Sequence, residues 1–290
     1  MGGVHVLIPT HTPRYLDIVL VGLGLQVRRA DTVIVSCDTD DGSIGSVIEH
    51  WASRLKLPVW WVRRRHHGGE RLCQVRNNGV RHLTESLGVE RGRLVVLDGD
   101  MFAPPRTLAL HEELGRDADL VYPYRVNLPR DVSEGLLAEE LFAGRQSLVL
   151  SDSDRSTLAA RQRRSQRQLL FRKLRLGALH KPKLLGGHFS VSLDLYVRLN
   201  GFDERYQGWG FKDDEFAYRA ARLGARCRVA VEQIPAFHLW HESRQAPGRM
   251  AELPTAARFR SRRRLPLVAE AGLRNPLPQH PVEVTRFGPN

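Results

Sequence analysis

The chain has 290 residues, 42% of them hydrophobic, which suffices for one large core or two joined lobes and excludes a disordered tail protein. Cys37, Cys73 and Cys227 are widely spaced and outside any C-x-x-C arrangement, which argues against a disulfide framework and a cysteine zinc site and leaves buried apolar roles. The net charge of +12 would draw the protein toward nucleic acid, anionic lipid or phosphorylated ligands. The basic runs at 63–65, 161–183 and 258–264, however, carry no interleaved aromatic platform of the single-strand-binding kind.

In chain order, the first third alternates short β-rich runs with amphipathic stretches, the pattern of β-α-β units on a mostly parallel sheet. Strands are expected at Val4–Pro9, Thr32–Cys37, Val59–Val62 and Leu94–Leu97, with helices at Tyr15–Gln26, Ser46–Leu55 and Glu70–Thr84. Ligands of such sheets bind at the carboxyl ends of the strands, which here hold Pro9-Thr10, Asp38 to Ser43, and Asp98 to Asp100. After Pro104-Pro105 a short helix and a Leu120–Tyr124 strand follow. The chain then turns Arg-, Leu- and Ser-rich with helical spacing, a helical insertion whose basic face is solvated or apposed to a membrane or acceptor. Regular pattern returns over 186–191, followed by a helix from near Asp194, the Gly201–Gly210 loop, a helix at Asp213–Leu223 and a strand near 226–231. Beyond His241 the Pro- and Arg-rich sequence predicts an extended, partly ordered tail. No apolar run approaches the roughly 20 residues that cross a bilayer. A cytoplasmic protein, at most peripheral at the inner face of the membrane, is the expectation.

Asp98-Gly99-Asp100 closes the apolar run Leu94–Leu97, where two carboxylates need a positive compensator, most simply a divalent cation. An Asp-Gly turn explains the same three residues equally well. Asp38 could accept hydrogen bonds from a base or ribose, or belong to an ordinary Asp-rich turn. Gly208-Trp209-Gly210-Phe211-Lys212-Asp213-Asp214-Glu215 is more specific: a flat indole between glycines suits a sugar ring, and the acidic run opens a helix. Helix capping accounts for at least one of those carboxylates, while one beside the aromatic platform is a plausible general base. Within His238-Leu239-Trp240-His241, an extended strand would turn the two imidazoles to opposite sides, so one ion is expected to receive only one of them.

Taken together these residues resemble nucleotide-sugar glycosyltransferases of the GT-A fold, specifically family 2 enzymes with a galactosyltransferase-like C-terminal part, a group that includes chondroitin polymerases and β-1,4-galactosyltransferases. The match runs through Val6-Leu7-Ile8-Pro9-Thr10, Asp38, Arg76-Asn77-Asn78-Gly79 and the D-x-D. It is tighter over Gly186-Gly187, Asn200-Gly201-Phe202-Asp203-Glu204, Gly208-Trp209-Gly210, Asp213-x-Glu215-Phe216 and Leu223-Gly224. The resemblance implies a single α/β GT-A fold, with a Rossmann-like, mostly parallel sheet flanked by helices. The chain is expected to divide into a nucleotide-sugar half (1–125), a basic helical insertion (126–183), an acceptor and catalytic half (184–245) and an extended tail (246–290); the resemblance covers most of 4–125 and 184–242 and leaves the insertion and the tail without support.

By that resemblance Pro9, Thr10 and Asp38 surround the nucleoside, Arg76 lies near the diphosphate, and Gly187, Trp209, Gly210 and Asp214 border the sugars. Asp98 and Asp100 serve ribose and metal, Mn²⁺ or Mg²⁺, and His241 is preferred over His238 as the imidazole ligand because Ser243-Arg244 follows it closely. Asp213 inherits the general-base role in an inverting transfer from a nucleotide diphosphate donor, UDP-sugars favoured, to an acceptor hydroxyl. Lys212 replaces the family's usual Glu, and its side chain is expected to point to solvent or to meet an acidic substrate. Two other classes compete. A sugar-nucleotide nucleotidyltransferase lacks support because Pro9 to Pro13 stands where a Gly-rich phosphate loop belongs, and a basic module for nucleic acid or anionic membrane leaves the Gly-Trp-Gly-acidic set unexplained.

Overall fold

Four parallel strands carry the alternating pattern of the first third: β1 (Gly3–Thr10), β2 (Thr32–Asp38), β3 (Val59–Arg64) and β4 (Gly92–Leu97). They lie in the order β3-β2-β1-β4, and helices α1 (Leu16–Gly24), α2 (Ser43–Leu55) and α3 (Leu72–Arg81) connect or flank them. The computed structural model describes residues 2–66, 68–242 and 253–289. From Val4 onward every residue of β1 is buried, as expected of a parallel strand covered on both faces. Val4, Val6 and Ile8 enter the core under α1 and α2, whereas Leu7 enters the opposite core with Phe189, Phe202 and Phe216, following the two-residue period of a strand.

The helix expected at 70–84 begins two residues later and ends in a π-turn, His82–Ser86. The single strand expected at 120–124 is two strands, β6 (Leu120–Tyr122) and β7 (Tyr124–Asn127), on different sheets. Pro123 separates them, and a residue without an N–H cannot continue a ladder. The short β5 (Met101–Phe102), just after the D-x-D, pairs antiparallel with β10 (Pro235–His238), and β10 pairs parallel with β7. This three-stranded sheet lies beside the larger one.

The second half extends the main sheet through β8 (His188–Ser192), antiparallel to both β4 and β6, and β9 (Cys227–Val229), parallel to β6. Helices α4 (Thr107–Leu114), α8 (Leu193–Arg198) and α9 (Lys212–Arg222) complete this half. The insertion is helical, in three pieces: α5 (Arg130–Glu134), α6 (Ala138–Phe142) and α7 (Asp152–Lys173). A capping box starts α7, with the Ser151 hydroxyl accepting from the Asp154 amide and Asp154 accepting from Ser151. Gln162 ties α7 to the sheet by donating to the Val229 carbonyl and accepting from the Val231 amide.

The tail departs from expectation. Helix α10 (Pro254–Arg260) stacks Phe259 on Phe211, and β11 (Val282–Phe287) pairs antiparallel with β3, so the sheet reads β11-β3-β2-β1-β4-β8-β6-β9. The sequence of β11 does alternate, but its residues are largely exposed, so the burial contrast that marks a strand is weak there. Among the described residues no helix is long and apolar enough to cross a membrane.

Candidate active site

A cleft of about 1210 Å³ opens at the carboxyl ends of β1, β2 and β4, bounded by the loop before β8, the N-terminus of α9 and the end of β10. Each site residue expected from the sequence lines it: Pro9, Thr10, Asp38, Arg76, Asp98, Asp100, Gly187, Trp209, Gly210, Asp213, Asp214, His238 and His241. Backbone bonds fix the D-x-D at the strand end. Asp98 donates its amide to the Gly187 carbonyl (2.9 Å), Gly99 to Pro9 (3.2 Å), and the Asp100 carbonyl accepts from Leu239 (2.9 Å).

Two clusters of charge form the cleft floor. In the first, the buried Arg76 donates Nη1 to Asp213 Oδ1 (2.8 Å) and Nη2 to the Gly186 carbonyl (2.8 Å). Its Nη2 also lies 3.6 Å from Asp98 Oδ1, and its guanidinium covers the Phe202 ring. Burial pushes the Asp98 carboxyl up to about 6, with Arg76 opposing and Asp100 and Asp213 reinforcing the rise. The Asp98 side chain keeps 30% of its surface open, so water tempers that push. The arrangement depends on two glycines. A Cβ at Gly186 would lie 2.1 Å from Asp213 Oδ1, and one at Gly187 would lie 2.8 Å from Asp98 Oδ2; neither position has room for a side chain. Arg76, expected near a diphosphate, thus spans the first D-x-D carboxylate and Asp213.

In the second cluster, His238 Nε2 and His241 Nε2 approach Asp100 Oδ2 at 3.5 and 3.2 Å. This corrects the expectation that the imidazoles face opposite ways. The strand ends at His238, which is in register with Met101, the residue after Asp100. The chain then leaves the ladder as Leu239 donates to Asp100 and Trp240 donates to Ser133 Oγ, which returns His241 to the same carboxylate. Ser243-Arg244, on which the preference for His241 rested, lies outside the described residues. Burial would raise the Asp100 carboxyl, but hydrogen bonds from His238 and His241 hold it well below the usual range, and His241 is raised in turn. Asp100, His238 and His241 each offer a ligand atom within 4.8 Å of the others. Asp98 is not one of the three; its carboxylate turns to Arg76 instead.

This donor set fits a divalent ion. Asp100 Oδ1 is buried without a hydrogen-bond partner, a costly state for a carboxylate oxygen unless a cation completes it. Two imidazoles beside a carboxylate suit a first-row transition-metal dication better than the all-oxygen shells of Ca²⁺ or Mg²⁺.

Around these clusters the remaining residues fall into place. Asp38 is buried with both oxygens engaged, Oδ2 by Arg64 Nη2 (2.8 Å) and Oδ1 by His66 Nδ1 (3.2 Å). Trp209 keeps 44% of its surface exposed at the cleft edge, and its carbonyl accepts from Thr255 Oγ1 (2.9 Å). The expected side-chain cap of α9 is absent: Phe211 is its N-cap, in the left-handed region at φ 56, and caps with no side-chain hydrogen bond. Asp213 instead pairs with Arg76 and Glu215 with buried Arg219, while Asp214 is buried with Oδ1 unpartnered and its carboxyl raised by burial. Lys212 lines the cleft but does not point to solvent: it is buried, and its Nζ pairs with the Glu70 carboxylate and donates to the Gly208 carbonyl (3.0 Å).

Sequence reading did not single out Glu70, Tyr15 or Arg125, which also line the cleft. Glu70 holds Lys212 and accepts the Gly208 amide at its own carbonyl (2.7 Å). Tyr15 donates its hydroxyl to the Trp240 carbonyl (3.0 Å). Arg125 on β7 faces the cleft near Asp98 and His241 and has no ion pair within 4.0 Å among the described residues. A cation between two strand ends was the only available signal for Arg125.

Comparison with known proteins points to the same fold class. Residues 172–242 match the family described as the N-terminal domain of galactosyltransferase. The chain is 27% identical to a chondroitin synthase of Escherichia coli over 267 residues, covering 88% of this chain and 36% of that protein. It thus spans about a third of that relative's length. Xylosylprotein 4-beta-galactosyltransferase of Caenorhabditis elegans is 45% identical over 40 residues, 14% of each chain. Among solved structures, S. aureus TarS in complex with UDP superposes with a TM-score of 0.52 at 16% identity, covering 82% of this chain and 60% of that one. At that identity the likeness speaks for the fold.

Proposed function

We propose that this chain, which joins the GT-A fold of family 2 glycosyltransferases to a galactosyltransferase-like C-terminal part, transfers a sugar with inversion from a nucleotide diphosphate donor to an acceptor hydroxyl. The observation that carries the reading is the convergence of Asp100, His238 and His241 at the strand ends, in one cleft with Asp213 and Trp209. A fold neighbour solved with UDP favours a UDP-sugar as donor. Asp100 and the two histidines would hold a divalent ion, which supplies charge stabilisation for the departing diphosphate.

The chain's own residues perform the remaining tasks. Asp213, bordering the Trp209 sugar platform, accepts the proton of the attacking hydroxyl at its carboxylate. Arg76 aims that carboxylate through its 2.8 Å bond; because the same guanidinium faces Asp98, it links the donor side of the cleft to the acceptor side. Arg125 is the cation available to meet diphosphate oxygens. Thr10 and Asp38 border the nucleoside, and Asp214 the acceptor. Manganese titration by calorimetry tests the ion site: His238→Ala and His241→Ala should each weaken binding by about tenfold or more. Unchanged affinity in either variant would remove that histidine from the set.

A further inference from the structure

A surface outside the cleft points to a second partner. From Arg155 to Leu193 the chain contains ten Lys and Arg and no Asp or Glu. Helix α7 occupies most of that stretch and turns Leu158, Gln162, Leu169 and Arg172 inward. The exposed cations on its outer side, Arg163, Arg164, Arg167 and Lys173, form no ion pair among the described residues. That is an expensive arrangement for a purely structural helix, because like charges at helical spacing repel.

The end of the same helix is apolar and open. Leu170 is 53% exposed, Phe171 45%, Leu174 56% and Leu176 77%. A backbone motif closes the helix at this point. Leu176 donates to the Phe171 carbonyl (2.9 Å) and Arg175 to the Arg172 carbonyl (3.0 Å), with Arg175 in the left-handed region at φ 60. This is the Schellman termination, which brings side chains at the positions of Phe171 and Leu176 together. Here Arg, not Gly, occupies the left-handed position, so the chain accepts backbone strain in order to present an apolar knob beside a basic ridge.

An exposed Leu/Phe cluster bordered by unpaired Arg and Lys is complementary to a lipid headgroup layer, whose anionic surface meets the cations while the acyl boundary receives the apolar side chains. We propose that the C-terminal end of α7 and the turn after it dock this protein on an anionic bilayer. The chain runs from Leu176 to Lys183, Leu184 and Leu185, which line the catalytic cleft, so docking there would bring the cleft toward acceptors carried in the membrane. That last consequence rests on the proposed glycosyl transfer; the docking does not.

Vesicle sedimentation of the full chain tests it, using phosphatidylcholine vesicles with and without about 30% phosphatidylglycerol. The protein should sediment with the anionic vesicles only, and raising NaCl from about 0.1 to about 0.5 M should release much of it. Arg163→Gln with Arg167→Gln should weaken binding by at least about tenfold, as should Leu170→Gln with Phe171→Gln and Leu176→Gln. Circular dichroism should report intact folding for both, and soluble-donor turnover should be unchanged. Absence of sedimentation by the wild-type chain at low salt would overturn the proposal, as would equal binding of the folded variants. Loss of a concentration-dependent dimer in the apolar variant, with no vesicle binding by wild type, would assign the surface to a second copy instead.

Discussion

Asp213 is held by groups far from it in the chain: the Arg76 guanidinium on α3 orients it, and the bare backbone of Gly186 makes room for it. Replacing it with Asn keeps the shape and removes the base, so kcat should fall roughly 10²- to 10⁴-fold with donor affinity nearly unchanged. Near-normal turnover would refute the assignment. Gly186→Ala should mimic much of this loss without replacing a charged group, since the new methyl would displace the Asp213 carboxylate; steady-state kinetics on the folded variant checks it. Lys212 presents a different case. Its ammonium is buried against Glu70, and Lys212→Met leaves that carboxylate without its partner, so urea denaturation should show a loss on the order of 1–3 kcal/mol. The exchange Glu70→Lys with Lys212→Glu should recover part of it. The sequence announced Asp98, Asp100 and Asp213 because motif and spacing are local. It was silent on their partners, since Arg76 meets Asp213 and Glu70 meets Lys212 across more than a hundred residues, and pairing at that range leaves no periodicity to read.

At the level of elements, β8 places a buried histidine network directly behind the cleft. His188 Nδ1 faces the Tyr124 carbonyl (3.3 Å) and so must donate. His188 Nε2 then accepts from His111 Nε2 (3.0 Å), and His111 Nδ1 accepts from the Ser190 hydroxyl (2.9 Å). Every nitrogen is committed in the neutral state. Burial holds His188 down at about 4, and burial together with His188 holds His111 well below its ordinary value. Unfolded imidazoles titrate near about 6.5, so between those values the unfolded chain binds more protons and stability rises with pH. The contribution is complete above about pH 6.5 and is lost as pH falls toward 4. For His188 it amounts to roughly 3 kcal/mol at most. Urea midpoints measured across this window should decline toward acid, and His188→Gln should flatten the decline; an unchanged slope would show that the pair is not what senses the acid. The parallel strands were legible because apolar runs alternate with helical spacing. The β5-β10-β7 sheet was not, because strands of two to four residues carry too few alternations. That small sheet is what brings His238 to Asp100, so the extended-strand argument about the two imidazoles failed at the point where the strand ends.

For the molecule as a whole, β11 covers the edge of β3 that would otherwise offer Trp60 and Trp61 and an unpaired backbone. Removing residues 280–290 should therefore promote self-association, visible as early elution in size-exclusion chromatography; a monomeric, equally stable truncation would show the edge to be protected by other means. The eight-stranded sheet, the hydrophobic cores on its two faces and the C-terminal wrap together position the strand ends, which we propose form a metal-assisted sugar-transfer site. The most direct test of that proposal is release of UDP from a panel of UDP-sugars in the presence of a hydroxyl-acceptor mixture, with Mn²⁺ and after chelation. At least one donor should be turned over, chelator should abolish the release, and Asp100→Asn should be inactive under both conditions. Release that is indifferent to chelator and to Asp100 would contradict it.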